Sequence, residues 1–547
     1  MEKRILIAFV LSAIIFALWT VIFPPPKPVQ RPPAPTATEE EAPQGREGAA
    51  QEYADLPVLG EDDGVEGVIS DTDVHELHLN NNVMDVHVTN RGAAVTALIL
   101  NGFTDDEKQP LDLVQTAEHP ERTLPLQLVF ADGPDNRLYK ADQEGERRAS
   151  FTWSDGAGNT VIKTIELGST GYGIEVSVES FGAMRAGALS LGTGMRNTGA
   201  VERANRFSTW GDVTVSTREE RETYRREKID AAMSLSGRDL LFVGFEDTYF
   251  LNVFRTTGEI DEIHILPLGL DEIDADGETT TVAVLRSDLK SKTGNYFGEL
   301  FAAPKEFDLL KTEGGGLEDT LRFGIFHPIA VFFLKILRWI YGWAGNWGYA
   351  IVLLTIAIRI VLFPLMHKST VSMRRMQKVQ PKVKAIQEKY KKNKKDPQVR
   401  AKMNQETMAL YKEEGVNPVG GCLPMLVQMP LLFALYTLFS HAIELRHAPF
   451  MLWIVDLSAK DPLYITPVLM TATMWLQQRL APQAGDPAQM KMMRMMPLVF
   501  GIMFLGFPAG LVLYWLTNNV VSILQQEITL RLIGERKRAG GGGKRKK

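Results

Sequence analysis

An arginine in the middle of an apolar segment constrains this chain more than any other feature. Arg359 lies within GYAIVLLTIAIRIVLFPLM, residues 348–366, which otherwise has the composition of a membrane-spanning helix. An arginine keeps its charge in any protein environment, and placing it at the bilayer centre costs at least about 2.5–3.5 kcal/mol. The segment therefore predicts a wet, polar cavity within the membrane. The alternative is snorkelling, since Lys368 follows only about 13 Å further along a helix.

The start of the chain has the pattern of a membrane anchor. Lys3 and Arg4 precede an apolar run that ends at Phe23, so we predict a transmembrane anchor over 1–23 with its start in the cytoplasm. A cleaved signal peptide is the alternative, although small residues before a cleavage site are missing. Residues 24–55 are rich in proline, alanine and glutamate, which predicts a disordered linker.

Residues 56–318 have the two-residue period of β-strands. The segments 124–130, 174–179 and 279–285 alternate apolar and polar side chains, with glycine, asparagine and aspartate between such segments. This pattern predicts an antiparallel sandwich domain. His75 and His78 are three apart and would point to opposite faces of a strand, so we predict no metal site there. Catalytic motifs are missing, and we predict no enzyme activity.

The second half alternates apolar spans with charged loops. The segment 324–343 carries Lys335 and Arg338 on one helical face, which favours a helix in the membrane interface over a sixth span of this half. The predicted transmembrane spans of this half cover residues 347–366, 420–440, 463–480, 494–508 and 510–530.

The charges of the loops fix the predicted orientation. Residues 368–412 contain 14 Lys and Arg, and the tail 531–547 is also basic. With the anchor there are six spans, and the positive-inside rule then places both termini in the cytoplasm and 56–318 outside. Apolar residues at spacings of three and four predict a helical hairpin over 368–415. Its basic face suits anionic lipid, ribosomal RNA or an acidic partner, or is simply solvated.

Polar residues elsewhere in the spans could solvate the guanidinium of Arg359 if they face it. Thr355 lies one turn before it, Gln428 is in the next span, and Thr517 and Asn518 are in the last. No carboxylate lies mid-span, which argues against a proton- or sodium-coupled transporter. A run of methionines from 490 to 503 suits a surface for varied apolar partners or ordinary packing.

Three segments are specific enough to suggest a family. VNPVGGCLPMLVQMPLLFALY at 416–436, together with 444–470 and 507–526, resembles the YidC/Oxa/Alb insertase family in its Gram-negative form. The resemblance covers about 324–535. It implies a core of five spans around a groove that is open to the cytoplasm and to lipid, and an outer domain that is a β-supersandwich similar to sugar mutarotases. The residues that match the family's groove and substrate-contact positions are Arg359, Thr355, Met429, Pro430, Tyr514 and Trp515.

The resemblance implies a membrane protein insertase and chaperone in the bacterial inner membrane. Its partners would be nascent inner-membrane proteins, the Sec translocon (SecYEG and SecDF), membrane lipids and, weakly through the basic hairpin and tail, the ribosome. We expect no cofactor. Trp515 stands where the family often has tyrosine, which keeps the aromatic bulk. A small-solute transporter and a cell-envelope assembly scaffold remain the alternatives.

Overall fold

The computed structural model describes most of the chain from residue 67 onward. The described ranges are 67–117, 119–198, 202, 208–273, 279–321, 323–390, 396–416, 423–480 and 487–541. The predicted anchor and linker therefore lie outside the described residues, as does the end of the basic tail. Residues Gly64–Lys547 form one compact unit.

The first part of this unit is built from antiparallel strands. They are β1 (Val68–Ile69), β2 (Glu76–Asn80), β3 (Met84–Thr89), β4 (Ala94–Thr104), β5 (Pro110–Asp112), β6 (Leu128–Phe130), β7 (Gly133–Pro134), β8 (Lys140–Glu144), β9 (Arg148–Asp155), β10 (Thr160–Leu167), β11 (Gly173–Phe181), β12 (Ala188–Thr193), β13 (Asp212–Thr217), β14 (Arg221–Tyr224), β15 (Met233–Ser236), β16 (Leu240–Glu246), β17 (Phe250–Thr256), β18 (Glu262–Ile273), β19 (Thr279–Lys290) and β20 (Tyr296–Pro304).

The strands form three sheets. The largest has the order β1-β9-β10-β11-β20-β17-β16-β13-β14, with β8 added beside β9. The second has the order β15-β18-β19-β12-β6-β7 and the third β2-β3-β4-β5. Buried side chains from all three sheets pack into a single apolar core. The region is therefore a mostly β domain, as the two-residue period predicts.

The alternation of apolar and polar residues in the sequence predicts the individual strands correctly, with one exception. Ile174, Val176 and Val178 are buried in β11, and the predicted strand at 279–285 belongs to β19. Over 124–130, however, only Leu128–Phe130 forms a strand. Leu126 has a φ of +65°, a left-handed conformation that is rare for a leucine and interrupts an extended strand, so extending the strand back to 124 is wrong.

The second part of the unit is helical. Its helices, together with one that closes the β domain, are α1 (Phe307–Glu313), α2 (His327–Ala344), α3 (Trp347–Lys389), α4 (Pro397–Glu413), α5 (Leu423–His441), α6 (Ile465–Leu480), α7 (Pro487–Phe504) and α8 (Ala509–Gly541). Each of the five predicted spans falls on one of these helices. The predicted span 347–366 and the first hairpin helix are a single helix, α3, which continues through Pro364 and Pro381.

Two helices within the described residues are long and apolar enough to cross a membrane. They are Gly324–Ala344, which contains α2, and Trp347–Lys389. The first is the segment predicted to lie in the membrane interface. Arg338 of α2 forms ion pairs with Asp308 of α1 and with Glu444, and Lys335 lies 5.8 Å from the centre of the Phe307 ring. The two cations of α2 thus face the β domain and the loop after α5.

The β domain and the helices share a second apolar core. Phe242, Leu251 and Phe301 of the large sheet belong to the same cluster of buried side chains as Leu334 and Leu337 of α2. The cluster continues through α3, α5, α6 and α8. Removing this apolar area from water stabilises the junction in the same way as a domain core.

Candidate functional site in the helical half

The arginine predicted from the sequence lies between two helices. Helix α3 begins after Asn346, whose side-chain oxygen accepts a hydrogen bond from the backbone N–H of Tyr349 at 3.1 Å. Three turns later, Arg359 faces α8 and is only 7% exposed. Its Nε donates a hydrogen bond to Oδ1 of Asn518 at 2.6 Å. Asn518 is also 7% exposed, so the contact is nearly enclosed by protein.

The guanidinium of Arg359 has unused hydrogen-bonding capacity. It carries five N–H donors. Within the described part of the chain, its side-chain hydrogen bond goes to Asn518, and no carboxylate forms an ion pair with it. This leaves a buried positive charge with donors available to water or to an acidic group that enters the site.

Helix α8 presents a row of polar side chains to α3. Tyr514, Asn518 and Ser522 are spaced by four residues and therefore lie on one face. Further along, Gln525 donates from Nε2 to the backbone oxygen of Arg359 at 2.8 Å, and the Thr529 hydroxyl lies 3.2 Å from Nδ1 of His367. We call this row the polar seam. It consists of Arg359, His367, Tyr514, Asn518, Ser522, Gln525 and Thr529.

Part of the seam is missing from the sequence prediction. Ser522, Gln525 and Thr529 lie toward the end of the last span, where polar residues are common, and His367 lies next to the basic loop. Their relation to Arg359 becomes visible only when α3 and α8 are packed together. The spacing from 514 to 518 to 522 is the one signal that the sequence itself contains.

Two further predicted residues adjoin the seam. Gln428 of α5 donates from Nε2 to the Tyr514 hydroxyl at 2.8 Å and so links a third helix to it. Tyr514 is 1% exposed. Thr355 is also 1% exposed and lies one turn before Arg359, but its hydroxyl donates to the backbone oxygen of Ile351 at 2.7 Å within its own helix. Thr355 therefore lines the site without using its hydroxyl there.

The remaining predicted residues lie around the seam. The ring of Trp515 is 5.2 Å from that of Phe504 and 6.1 Å from that of Phe500, so it packs on α7. Met429 is 37% exposed on the outer side of α5. Pro430, beside Met429, and Thr517 of α8 are both half-buried.

The outer surface of α6 and α7 is apolar. Met492 is 66% exposed and Met495 is 54% exposed, so these side chains do not fill gaps in a core. A cleft of about 620 Å³ separates the two helices, with Val468, Trp475 and Ile502 among its lining residues. Large apolar side chains exposed over several helices are typical of a surface that faces lipid or binds another protein.

The basic hairpin is formed by the end of α3 and by α4. Val379, Val383 and Val416 form a small buried cluster between its two arms. On the surface, Glu406 accepts hydrogen bonds from the Lys389 ammonium at 2.9 Å and from the Tyr390 hydroxyl at 2.7 Å. The two arms of the hairpin therefore meet at a small apolar contact, and their charged side chains lie on the surface.

Comparisons with known proteins cover both halves of the chain. Residues 339–536 match the family model described as 60Kd inner membrane protein, and residues 76–336 match the family model described as YidC periplasmic domain. The two matches meet inside α2. Each half therefore matches a model in its own right.

Several relatives match over nearly their whole length. The membrane protein insertase YidC of Geobacter metallireducens is 36% identical over 545 residues, which cover 96% of this chain and 98% of the relative. The corresponding protein of Geobacter sulfurreducens is 35% identical over 543 residues, with the same coverage of 96% and 98%. A solved structure described as an active YidC insertase with the first transmembrane domain resolved is 20% identical, covers 88% of this chain and 98% of that chain, and has a TM-score of 0.34.

Proposed function

The chain belongs to the YidC family of membrane protein insertases, and from this premise we propose that its clients enter the membrane along the polar seam. The protein is an inner-membrane insertase with a periplasmic domain, and nascent membrane proteins are its substrates. The observation that carries the proposal is the position of Arg359, which is nearly enclosed, lacks a carboxylate partner among the described residues and retains unused N–H donors.

In this mechanism Arg359 receives the polar leading tail of a client. A charge–charge attraction is much stronger in a low-dielectric site than in water, so an acidic tail would gain most from the guanidinium. Asn518 orients the Arg359 side chain by accepting a hydrogen bond from Nε of the guanidinium, and this leaves the two terminal nitrogens of Arg359 for the client. The interaction lowers the barrier to desolvating the tail, and no covalent step or cofactor is required.

The apolar part of the client supplies the driving force. Each buried CH₂ group contributes about 0.8 kcal/mol, so an apolar segment of some 20 residues favours lipid strongly once it is admitted. Met429 and the exposed methionines of α7 give flexible apolar contacts along the way out. We propose that the segment leaves sideways past these side chains.

We further propose the detailed architecture implied by the family. It has six spans, of which five form the core, both termini in the cytoplasm, and a periplasmic supersandwich. The basic hairpin and the basic end of α8 support this orientation, because positive loops remain inside. The same basic surface suits weak ribosome binding and anionic lipid, and the Sec translocon (SecYEG and SecDF) is the expected partner for larger clients.

The replacement Arg359→Ala tests the role of the charge. Insertion of clients with acidic leading tails should fall about tenfold or more, because the desolvated carboxylates lose the attraction of the guanidinium. Clients with neutral tails, measured in the same strain, should insert at nearly the normal rate. Arg359→Lys keeps a charge without the planar donor fork and should retain part of the activity. Equal insertion of acidic tails by the normal protein and by Arg359→Ala would show that the electrostatic role is wrong.

A separate experiment tests whether water reaches the seam. The single cysteine, Cys422, is replaced by serine, and a new cysteine is introduced at Arg359 or at Asn518. A membrane-impermeant thiol reagent added from the cytoplasmic side should label both positions. Val361→Cys is the matched control, since Val361 is 77% exposed on the outside of α3 and should face dry lipid. Labelling at Val361 that equals or exceeds labelling at the two seam positions would contradict a hydrated seam.

A further inference from the structure

The four-stranded sheet of the β domain brings two histidines together on its outer face. In the register of β2 and β3, His78 lies directly opposite His87. Glu76 is two residues before His78 and therefore shares its face, because alternate residues of a strand point the same way. The other face of these strands carries the fully buried Leu79 and Val86. The apolar face packs on the core and leaves the histidine face to solvent.

The three side chains converge closely enough to share one ion. One ligand atom from each of Glu76, His78 and His87 lies within 4.8 Å of the other two. The centres of the two imidazole rings are 3.9 Å apart, and Nδ1 of His87 is 3.9 Å from Oε2 of Glu76. The sequence pair His75 and His78 is not the pair that meets, because His75 instead lies 3.4 Å from Asp71.

Two of the three side chains, His87 and Glu76, have neighbours of the kind that support metal ligands. Nε2 of His87 lies 3.5 Å from Oδ2 of Asp85, on the side of the ring away from Glu76. The Thr96 hydroxyl donates to Oε1 of Glu76 and leaves Oε2 toward His87. A carboxylate behind a ligating histidine and a hydrogen bond to a ligating carboxylate are the supports that fix ligands around a metal.

We propose that Glu76, His78 and His87 form a binding site for a divalent transition-metal ion, with zinc as the best fit. Two imidazole nitrogens and one carboxylate oxygen favour Zn²⁺ over Mg²⁺ or Ca²⁺, which prefer sites made of oxygen alone. Ligands about 2.0–2.2 Å from a tetrahedral Zn²⁺ lie about 3.4 Å apart, so the side chains need to move by about 1–1.5 Å to close around the ion. The fourth position remains open to water or to a partner's side chain.

The ion would join the first two long strands of the β domain. Strand β2 is at the edge of its sheet and pairs only with β3 among the described strands. A metal bridge between β2 and β3 would hold this edge in register, because it binds the folded arrangement and not the separated strands. The polar seam lies in the helical half, so this site acts independently of client insertion.

The test is zinc titration of the full-length protein without a histidine tag, in nanodiscs, followed by calorimetry. We expect one equivalent of Zn²⁺ per chain and a rise in the thermal midpoint of the β domain when zinc is added. His78→Ala and His87→Ala should each lower the affinity at least about tenfold, and Glu76→Gln should lower it about tenfold. His264→Ala is the matched control, because His264 lies 2.9 Å from Glu262 on β18, outside the cluster, and should change nothing.

A second measurement covers the case in which a variant folds poorly. X-ray absorption at the zinc edge of the unmodified protein should show two imidazole ligands and a carboxylate. Co²⁺ in place of Zn²⁺ should give the visible bands of a four-coordinate ion, and these should disappear in the variant His78→Ala/His87→Ala. A zinc spectrum without imidazole, or unchanged binding in folded His78→Ala and His87→Ala, would overturn the proposal.

Discussion

At the scale of single residues, two of the buried cations, Arg359 and Lys163, are solvated in different ways. Arg359 has one side-chain partner and unused donors, whereas Lys163 is fully buried and donates to three backbone oxygens. These oxygens belong to Gly92 at 2.8 Å, Ala93 at 3.1 Å and Leu126 at 2.7 Å. An ammonium has three donors, so every one of them is used. The hydrogen bonds of Lys163 are therefore satisfied within the β domain, whereas Arg359 keeps donors for a ligand.

Lys163 should make the stability of the β domain depend on pH. Burial lowers the pKa of Lys163 from its ordinary value of 10.5 to about 7. Between these values the unfolded chain binds a proton that the folded chain does not, so the free energy of unfolding should rise with pH from about 7 to 10. Below pH 7 both states are protonated, and the contribution stays at its minimum. Across the whole window the gain is at most about 5 kcal/mol.

The measurement is the thermal midpoint of the full-length protein between pH 7 and pH 10, compared with that of Lys163→Met. The substitution removes this one titration and leaves all others in place. We expect the midpoint to rise less steeply with pH in Lys163→Met than in the unmodified protein. Parallel curves would show that Lys163 keeps its ordinary pKa in the folded state.

The two cations also differ in how far the sequence predicts them. Arg359 is evident because it interrupts a long apolar segment. Lys163 occupies an inward position of the alternating strand β10, between the buried residues Val161 and Ile165. The alternation of β10 accounts for that inward position, but the three oxygens that accept its hydrogen bonds come from remote turns. A sequence pattern contains no information on such partners until the sheets are packed.

At the scale of elements, the basic hairpin should depend on its small apolar contact and not on its surface ion pairs. Val383 is 2% exposed between the arms. Replacing it with aspartate would bury an unpaired carboxylate, so the hairpin should open. The distance between spin labels on α3 and α4, measured by pulsed electron resonance, should then become longer and more broadly distributed.

Glu406→Gln is the matched control for the hairpin. It removes the ion pair with Lys389, whose side chain is 62% exposed, and exposed pairs of this kind contribute less than about 1 kcal/mol. The label distances should therefore stay unchanged. If Glu406→Gln opens the hairpin and Val383→Asp does not, the ion pairs and not the valines hold the arms together.

The hairpin also shows that the sequence does not predict where a helix ends. The change from apolar to basic residues near Lys368 predicts a boundary between a span and a loop helix, but α3 continues across it to Lys389. Helical hydrogen bonds join residues four apart and do not depend on whether the side chains face lipid or water. Hydropathy therefore locates the membrane surface more reliably than the end of a helix.

At the scale of the whole molecule, the β domain is attached to the helical half by a buried ionic contact as well as by apolar packing. Arg446, in the loop between α5 and α6, donates from Nε to Glu202 at 3.0 Å and from Nη1 to the backbone oxygen of Thr104 at 2.7 Å. The adjacent His447 lies 3.4 Å from Asp106, and this hydrogen bond lowers the pKa of the Asp106 carboxyl. These partners are hundreds of residues apart in the sequence, so no local pattern predicts the contact.

Arg446→Ala should loosen the whole β domain from the helices. The side chain of Arg446 is 4% exposed and that of Glu202 is 11% exposed, so the pair is shielded from water. Breaking a buried pair costs about 3–5 kcal/mol when one charge is left alone, but Glu202 keeps Arg196 as a partner, so the loss should be nearer about 2 kcal/mol. Backbone amides of residues 101–106 and 442–448 should exchange faster with deuterium, while the interior of each half stays protected.

Lys292→Ala is the matched control, because it removes an ion pair whose lysine is 86% exposed, so exchange at these segments should be normal. Unchanged exchange in Arg446→Ala would mean that the apolar cluster alone fixes the position of the domain on the helices.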